Sequence, residues 1–284
     1  MNAQLQPSTG TIRANVPWDE YLALPGVSIT RLKELRRSPL HYRHRLLHPK
    51  ESAPLTLGRA AHCAVLEPDR FERDHAVWDR LTDSGNQAPR NGKHWEAFKA
   101  QAGGCEILTI AEHADAVGMQ QAVRSNPDAM RFLAHGDPEV TMQWRVMGHE
   151  AKGRIDWLTD IDGRPWLVGL KSARDCRPFQ FGRQAANLGY HLQWAWYLDG
   201  FKTITGHENP GVVEIVVEAE APHAVVVYEI PDEILQQGFD EYSQLLEELA
   251  ECERTNTWPG PAPGMQTLSL PAWVYGEEEI SYVE

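Results

Sequence analysis

Between Glu139 and Lys171 the chain reverses direction twice over short turns, and this stretch constrains the fold most. Glu139-Val-Thr-Met-Gln-Trp-Arg-Val alternates like a half-buried strand, and Gly148-His149 supplies a turn. Ala151 to Leu158 returns as a second strand, and Asp162-Gly163 feeds a third, Trp166–Lys171. Residues 179–200 read as helical. The β-branched runs Val212–Val217 and Ala224–Ile230 add further strands, and Asp232–Cys252 is an amphipathic helix. Three strands, a helix, more strands and a helix imply an α/β mixed sheet flanked by helices.

The preceding part reads as mainly helical. Ser28 is placed to cap a helix whose Ile29, Leu32 and Leu35 share a face, and Ser38-Pro39 stops it and starts another. Leu57–Glu67 is small and apolar all round, which predicts a buried helix ended by Pro68. Residues 79–95 read as loop, with helices near 93–102 and 110–125. No linker divides the chain, so a single domain over 1–284 is expected. It comprises a loosely held start (1–25), a helical part (26–135), the sheet and its helices (136–256) and a Pro- and acid-rich tail (257–284).

The net charge of −13 argues against broad contact with phosphates. Residues 31–50 run the other way, with seven Lys/Arg against one Glu, a local balance of +6. That strip is either a solvated helix face or a narrow track for a polyanion on a body that repels it elsewhere. No apolar run reaches a membrane span, and the N-terminus lacks a signal-peptide pattern, so a cytoplasmic protein with no membrane association is expected. The four cysteines are scattered without a CxxC pair, which argues for reduced thiols and against a zinc module or an iron–sulfur cluster.

An apolar strand ending in acid-x-Lys is one way to hold a divalent ion beside a lysine. Trp166-Leu-Val-Gly-Leu-Lys-Ser172 has the lysine, Lys171, but glycine at the acid's place, Gly169. Asp156 on the second strand and Lys171 on the third reach the same sheet edge, as a metal site or as a buried ion pair. His62 lies on the buried helix, Gln193 and Tyr197 share a helix face at i, i+4, and Glu139 opens the first strand. Taken singly, these also fit a core histidine, a packing pair and a solvated carboxylate.

Together the blocks "SITRLKELRRSPLHYRHR", "LGRAAHCAVLEPDRF", "GRIDWL", "LVGLKSARD", "YHLQWAWYLDG" and "TWPGPAPGMQTLSLPAW" resemble the RecE-type exodeoxyribonucleases (exonuclease VIII) of the PD-(D/E)xK superfamily, over some 250 residues. The resemblance implies a restriction-endonuclease-like nuclease core with a helical N-terminal part. It implies 5′-to-3′ hydrolysis of linear double-stranded DNA, leaving a 3′ strand for a single-strand-annealing (RecT-like) recombinase. A ring-shaped homo-oligomer in the cytoplasm of a bacterium or phage-infected cell belongs to the same expectation. Carried onto this chain, His62, Asp156 and the Leu170 backbone carbonyl would ligate Mg²⁺, with Mn²⁺ as an alternative. Lys171 would position or help deprotonate the attacking water, with Glu139 beside the metal. Gln193 and Tyr197 would brace Lys171 or contact the phosphates. Arg36, Arg37, Arg43 and Arg45 would face the DNA backbone.

Gly169 departs from that pattern, since the family has aspartate there. The expected consequence is weakened metal binding and slow cleavage, which aspartate at 169 would restore. Three explanations stand open: an altered but otherwise intact nuclease, a natural non-catalytic DNA-binding or recombination scaffold, or a nearby carboxylate (Glu139, Asp160 or Asp175) that has moved in. A hydrolase of small phosphoesters is the rival from another class.

Overall fold

The computed structural model describes residues 10–48 and 56–270. Its elements in chain order begin with β1 (Thr11–Arg13), α1 (Trp18–Ala23), β2 (Val27–Ser28), α2 (Ile29–Leu32) with a 3-10 extension (Lys33–Arg36), and α3 (Pro39–Leu47). They continue with α4 (Thr56–Leu66), α5 (Pro68–Asp74), β3 (His75–Trp78), α6 (Gly92–Gln101), β4 (Glu106–Thr109), α7 (Ile110–Ser125) and α8 (Pro127–Leu133). The second half comprises β5 (Asp137–Val146), β6 (His149–Ile161), β7 (Arg164–Ala173), α9 (Pro178–Leu188), α10 (Tyr190–Thr205), β8 (Gly211–Glu218), β9 (Val225–Glu229) and α11 (Asp232–Thr255).

The main sheet runs β1-β5-β6-β7-β8-β9, with β2 pairing to β6, and β3 and β4 form a separate two-stranded sheet. Within the main sheet the β7–β8 and β2–β6 pairs are parallel and the others antiparallel. Helices cover both faces, so the central strands are apolar almost throughout. Leu167, Val212 and Val216 face a core with Trp194, Trp196, Tyr242 and Leu246 of α10 and α11. Val168, Leu170, Val213 and Ile215 face Ala61 and Val65 of α4, Met119 and Val123 of α7, and Phe132 of α8.

The hairpin order, the buried α4 and the span of α7 match the sequence reading. Several details differ. The expected helix over 179–200 is two, broken where Gly189 takes a left-handed conformation (φ +64°). Ser28 makes no side-chain cap, whereas Ser38 accepts the His41 amide at 3.3 Å. The start is tied in from Thr11, which pairs with Gln143 of β5, because an edge strand with open backbone groups offers that ladder. Short elements at α1, α5, β3, β4 and α8 carry too little periodicity to read alone. Residues 1–9, 49–55 and 271–284 lie outside the described residues, and with them the acidic tail Glu277–Glu284 and Lys50 of the basic strip.

Candidate active site

The register of the sheet builds the site. Glu139 lies level with Asp156, between the pairs Pro138↔Trp157 and Val140↔Ile155, with its own backbone in the left-handed region (φ +54°). The β6–β7 ladder ends at Trp157↔Val168, one step before Asp156 meets Gly169. There the strands part, and the Leu170 amide donates instead to Asp156 Oδ2 at 2.9 Å. On the other side Gly169 pairs with Glu214 of β8. Residues 139, 156, 169 and 214 thus form one row across four strands, and Lys171 lies one pleat along from it.

Lys171 Nζ sits 3.4 Å from Asp156 Oδ2 and 3.5 Å from Glu214 Oε1, between two carboxylates. It also donates to the Leu170 carbonyl at 3.2 Å. Burial disfavours its charge, but the two carboxylates outweigh burial and hold the amine above its ordinary range. Asp156 shows the same competition: burial raises it, and Lys171, His62 and the Leu170 amide together hold it below the usual carboxylate range. Glu214, 1% exposed, is raised by burial against the pull of Lys171 and Trp194. The Trp194 indole N–H donates to Glu214 Oε2, while Oε1 has no hydrogen-bond partner.

His62 belongs to α4, whose Ala61 and Val65 pack on the other face of the sheet. Burial lowers the basicity of His62 against the opposing charge of Asp156. Glu139 forms an ion pair with Arg154, and burial, then Asp156, push its carboxyl up to about 7. Gln193 donates to the Tyr197 hydroxyl at 3.4 Å, and neither makes a hydrogen bond to Lys171. Both line a cavity of about 20 Å³ with Asp156, Gly169, Trp194 and Glu214, room for roughly one water or one cation. Tyr197 reaches it because β6 has Gly153 beneath its ring, where a Cβ would come within 2.9 Å.

Of the three proposed replacement carboxylates, only Glu139 is near. Asp160 accepts the Gly163 amide at 2.8 Å and lines a separate cavity of about 400 Å³, roughly 13 Å along the strand from Asp156. Asp175 accepts three hydrogen bonds from the Arg177 side chain, one of them at 3.0 Å.

The basic strip is partly neutralised. Arg36 pairs with Glu241 at 2.8 Å, Arg37 and Arg45 approach Glu34 at 3.7 and 3.8 Å, and Arg43 stacks over Trp258 at 5.1 Å. Lys33 links it to the centre: the Tyr190 ring centroid is 6.0 Å from Lys33 Nζ and 5.7 Å from Lys171 Nζ. Burial, then Lys171 and Arg36, push the Lys33 amine down to about 8. Sequence reasoning singles out none of Glu214, Lys33 and Tyr190. Glu214 left a signal as the one acid in the apolar run Gly211-Val-Val-Glu-Ile-Val-Val, and Lys33 only as one of the seven cations of the basic strip.

The donors suit a hard divalent ion, with carboxylate oxygens from Asp156 and Glu214, among them Glu214 Oε1, which accepts no hydrogen bond. Among the described residues no group of three or more His, Cys, Asp or Glu converges on one point, and Lys171 holds the position between the two acids. No helix among them is long and apolar enough to cross a membrane.

A structure described as "Putative exonuclease" from Eubacterium rectale superposes with a TM-score of 0.60 at 14% identity, over 90% of this chain and 96% of that one. A Vibrio cholerae structure (11% identity, 86% of this chain and 58% of that one) reaches only 0.23, too low to carry an argument. No curated protein sequence matches the chain. The family described as "PDDEXK-like domain of unknown function (DUF3799)" matches residues 28–270, and the chain belongs to that family, with the PD-(D/E)xK nuclease fold.

Proposed function

We propose that this chain is a divalent-metal-dependent exodeoxyribonuclease that digests linear double-stranded DNA from 5′ ends. The observation that carries the reading is Lys171 clasped between Asp156 and a second buried carboxylate, one pleat along from the row of strand positions that holds both acids. Asp156, the Leu170 carbonyl and His62 would hold Mg²⁺ or Mn²⁺. Such an ion polarises a phosphate oxygen and acidifies water. Lys171, paired with two carboxylates, is a firm cation. It donates to water or to the scissile phosphate, and the part of general base does not suit it. Gln193 and Tyr197 line the cavity where that water would be oriented. Lys33 and Arg36 crowd positive charge toward Lys171, an arrangement that an incoming phosphate relieves. Arg37, Arg43 and Arg45 would extend the track along the backbone. The 3′ strand would pass to a RecT-like annealing recombinase, and a ring of subunits would keep the enzyme on its duplex in the cytosol.

The test is a linear duplex labelled separately at each 5′ and 3′ end, with a closed circle as control, in Mg²⁺, Mn²⁺ or EDTA. Expected is loss of 5′ label first, only with metal, and no attack on the circle. Salt-sensitive binding without cleavage would instead make the chain a DNA-binding scaffold.

A further inference from the structure

Gly169 and Glu214 are register partners on parallel strands, and their side-chain directions share the face covered by α10. A Cβ placed on Gly169 would lie 2.5 Å from both carboxylate oxygens of Glu214 and 2.7 Å from its Cδ. The Glu214 carboxylate therefore fills the volume an aspartate at 169 would enter. Its neighbours Val213, Ile215, Val216 and Val217 are all buried, so this acid stands in the middle of an otherwise apolar strand. Such burial costs several kcal/mol unless the charge is matched. Trp194 matches part of it at Oε2, while Oε1 takes no hydrogen bond and has only the Lys171 amine 3.5 Å away, on the wall of the cavity shared with Asp156.

We infer that Glu214 supplies from β8 the metal-ligating carboxylate that related nucleases carry on β7, and that Gly169 is the other half of this exchange. The longer glutamate side chain, starting one strand further away, ends where the shorter aspartate would. Glycine at 169 makes room for it. The inference rests on the nuclease reading for what the ion does, but its first consequence is metal binding. It also reverses the expectation that aspartate at 169 alone restores cleavage: that substitution forces a second acid into filled space beside Glu214.

The experiment titrates the metal-stripped full-length chain with Mn²⁺, reading free Mn²⁺ by electron paramagnetic resonance, alongside melting temperature and cleavage of linear duplex. Four variants accompany the unaltered chain: Glu214→Gln, Glu214→Val, Gly169→Asp, and Gly169→Asp combined with Glu214→Val. Glu214→Gln should weaken Mn²⁺ binding by no less than the roughly 10–100-fold that losing a ligand's outer-shell partner brings. Glu214→Val, which suits the apolar strand, should match that loss while keeping the melting temperature. Gly169→Asp should bind no better than the unaltered chain and melt lower. The double variant should recover Mn²⁺ affinity and cleavage together. Mn²⁺ binding indifferent to Glu214, or none by the unaltered chain, overturns the inference, as does tighter binding by Gly169→Asp alone. Glu214-dependent binding without cleavage of any duplex leaves the inference standing and removes the nuclease reading. Cleavage that survives both Glu214 variants does the reverse.

Discussion

Lys33 shows how one residue serves the site at a cost to the fold. Its amine, pushed down to about 8, binds its proton less readily in the folded chain than in the unfolded one, where it titrates at about 10.4. Between those values the unfolded chain holds the extra proton, so this group's contribution to stability rises with pH through that window. Below it the whole cost is present. Lys33→Met should raise the melting temperature at pH 7, flatten the rise from pH 8 to 10, and weaken duplex binding. An unchanged pH profile of melting would disprove the account. For Lys171→Met, cleavage should fall about 10²–10³-fold. Single-turnover rates test this, and a loss confined to binding would remove Lys171 from the chemistry.

The elements hold these residues through a few backbone positions. Gly189 separates α9 from α10, and a Cβ there would meet Arg36 Nη1 at 2.8 Å and Lys33 Cδ at 3.0 Å. Gly189→Ala should cost about 1–2 kcal/mol for the left-handed backbone alone, seen as a lower urea midpoint. Helix α1 is anchored by Lys152, whose Nζ donates to the carbonyls of Tyr21 (3.0 Å), Leu22 (3.0 Å) and Leu24 (2.7 Å). They stand at the end of α1, where carbonyls lack helical partners, although that of Tyr21 also accepts the Leu24 amide at 3.3 Å. Lys152→Met should destabilise by roughly 1–3 kcal/mol and speed amide exchange in α1 before the rest of the sheet. Uniform protection across both would contradict this.

At the scale of the molecule, the proposed contact with a polyanion joins a body of charge −13 to it through the basic strip. Affinity for linear duplex should therefore depend on few phosphate contacts. Arg37 is the most exposed of the strip's three paired arginines, its side chain 66% accessible, so Arg37→Ala should leave the melting temperature unchanged. It should also lessen the slope of log affinity against log salt by about 0.9. Loss of Arg36 should do both kinds of damage, since Arg36 also ties the strip to Glu241 of α11. An unaltered salt slope in both variants would move the DNA track elsewhere.

The hairpins and the positions of Asp156, Lys171, Gln193 and Tyr197 are legible in the chain, because period-2 alternation, turn glycines and i, i+4 spacing are local signals. Glycine at 169 was legible as well, as an absence. What answered it was not, since Gly169 and Glu214 are 45 residues apart in the sequence and become neighbours only when two parallel strands pair in register. The same holds for Lys33 beside Tyr190 and for Glu139 turned to Arg154. Local pattern determines which face of a strand a side chain leaves from. Only the packed sheet decides which side chains then share a few cubic ångströms, because that depends on register and distance between segments no local signal connects.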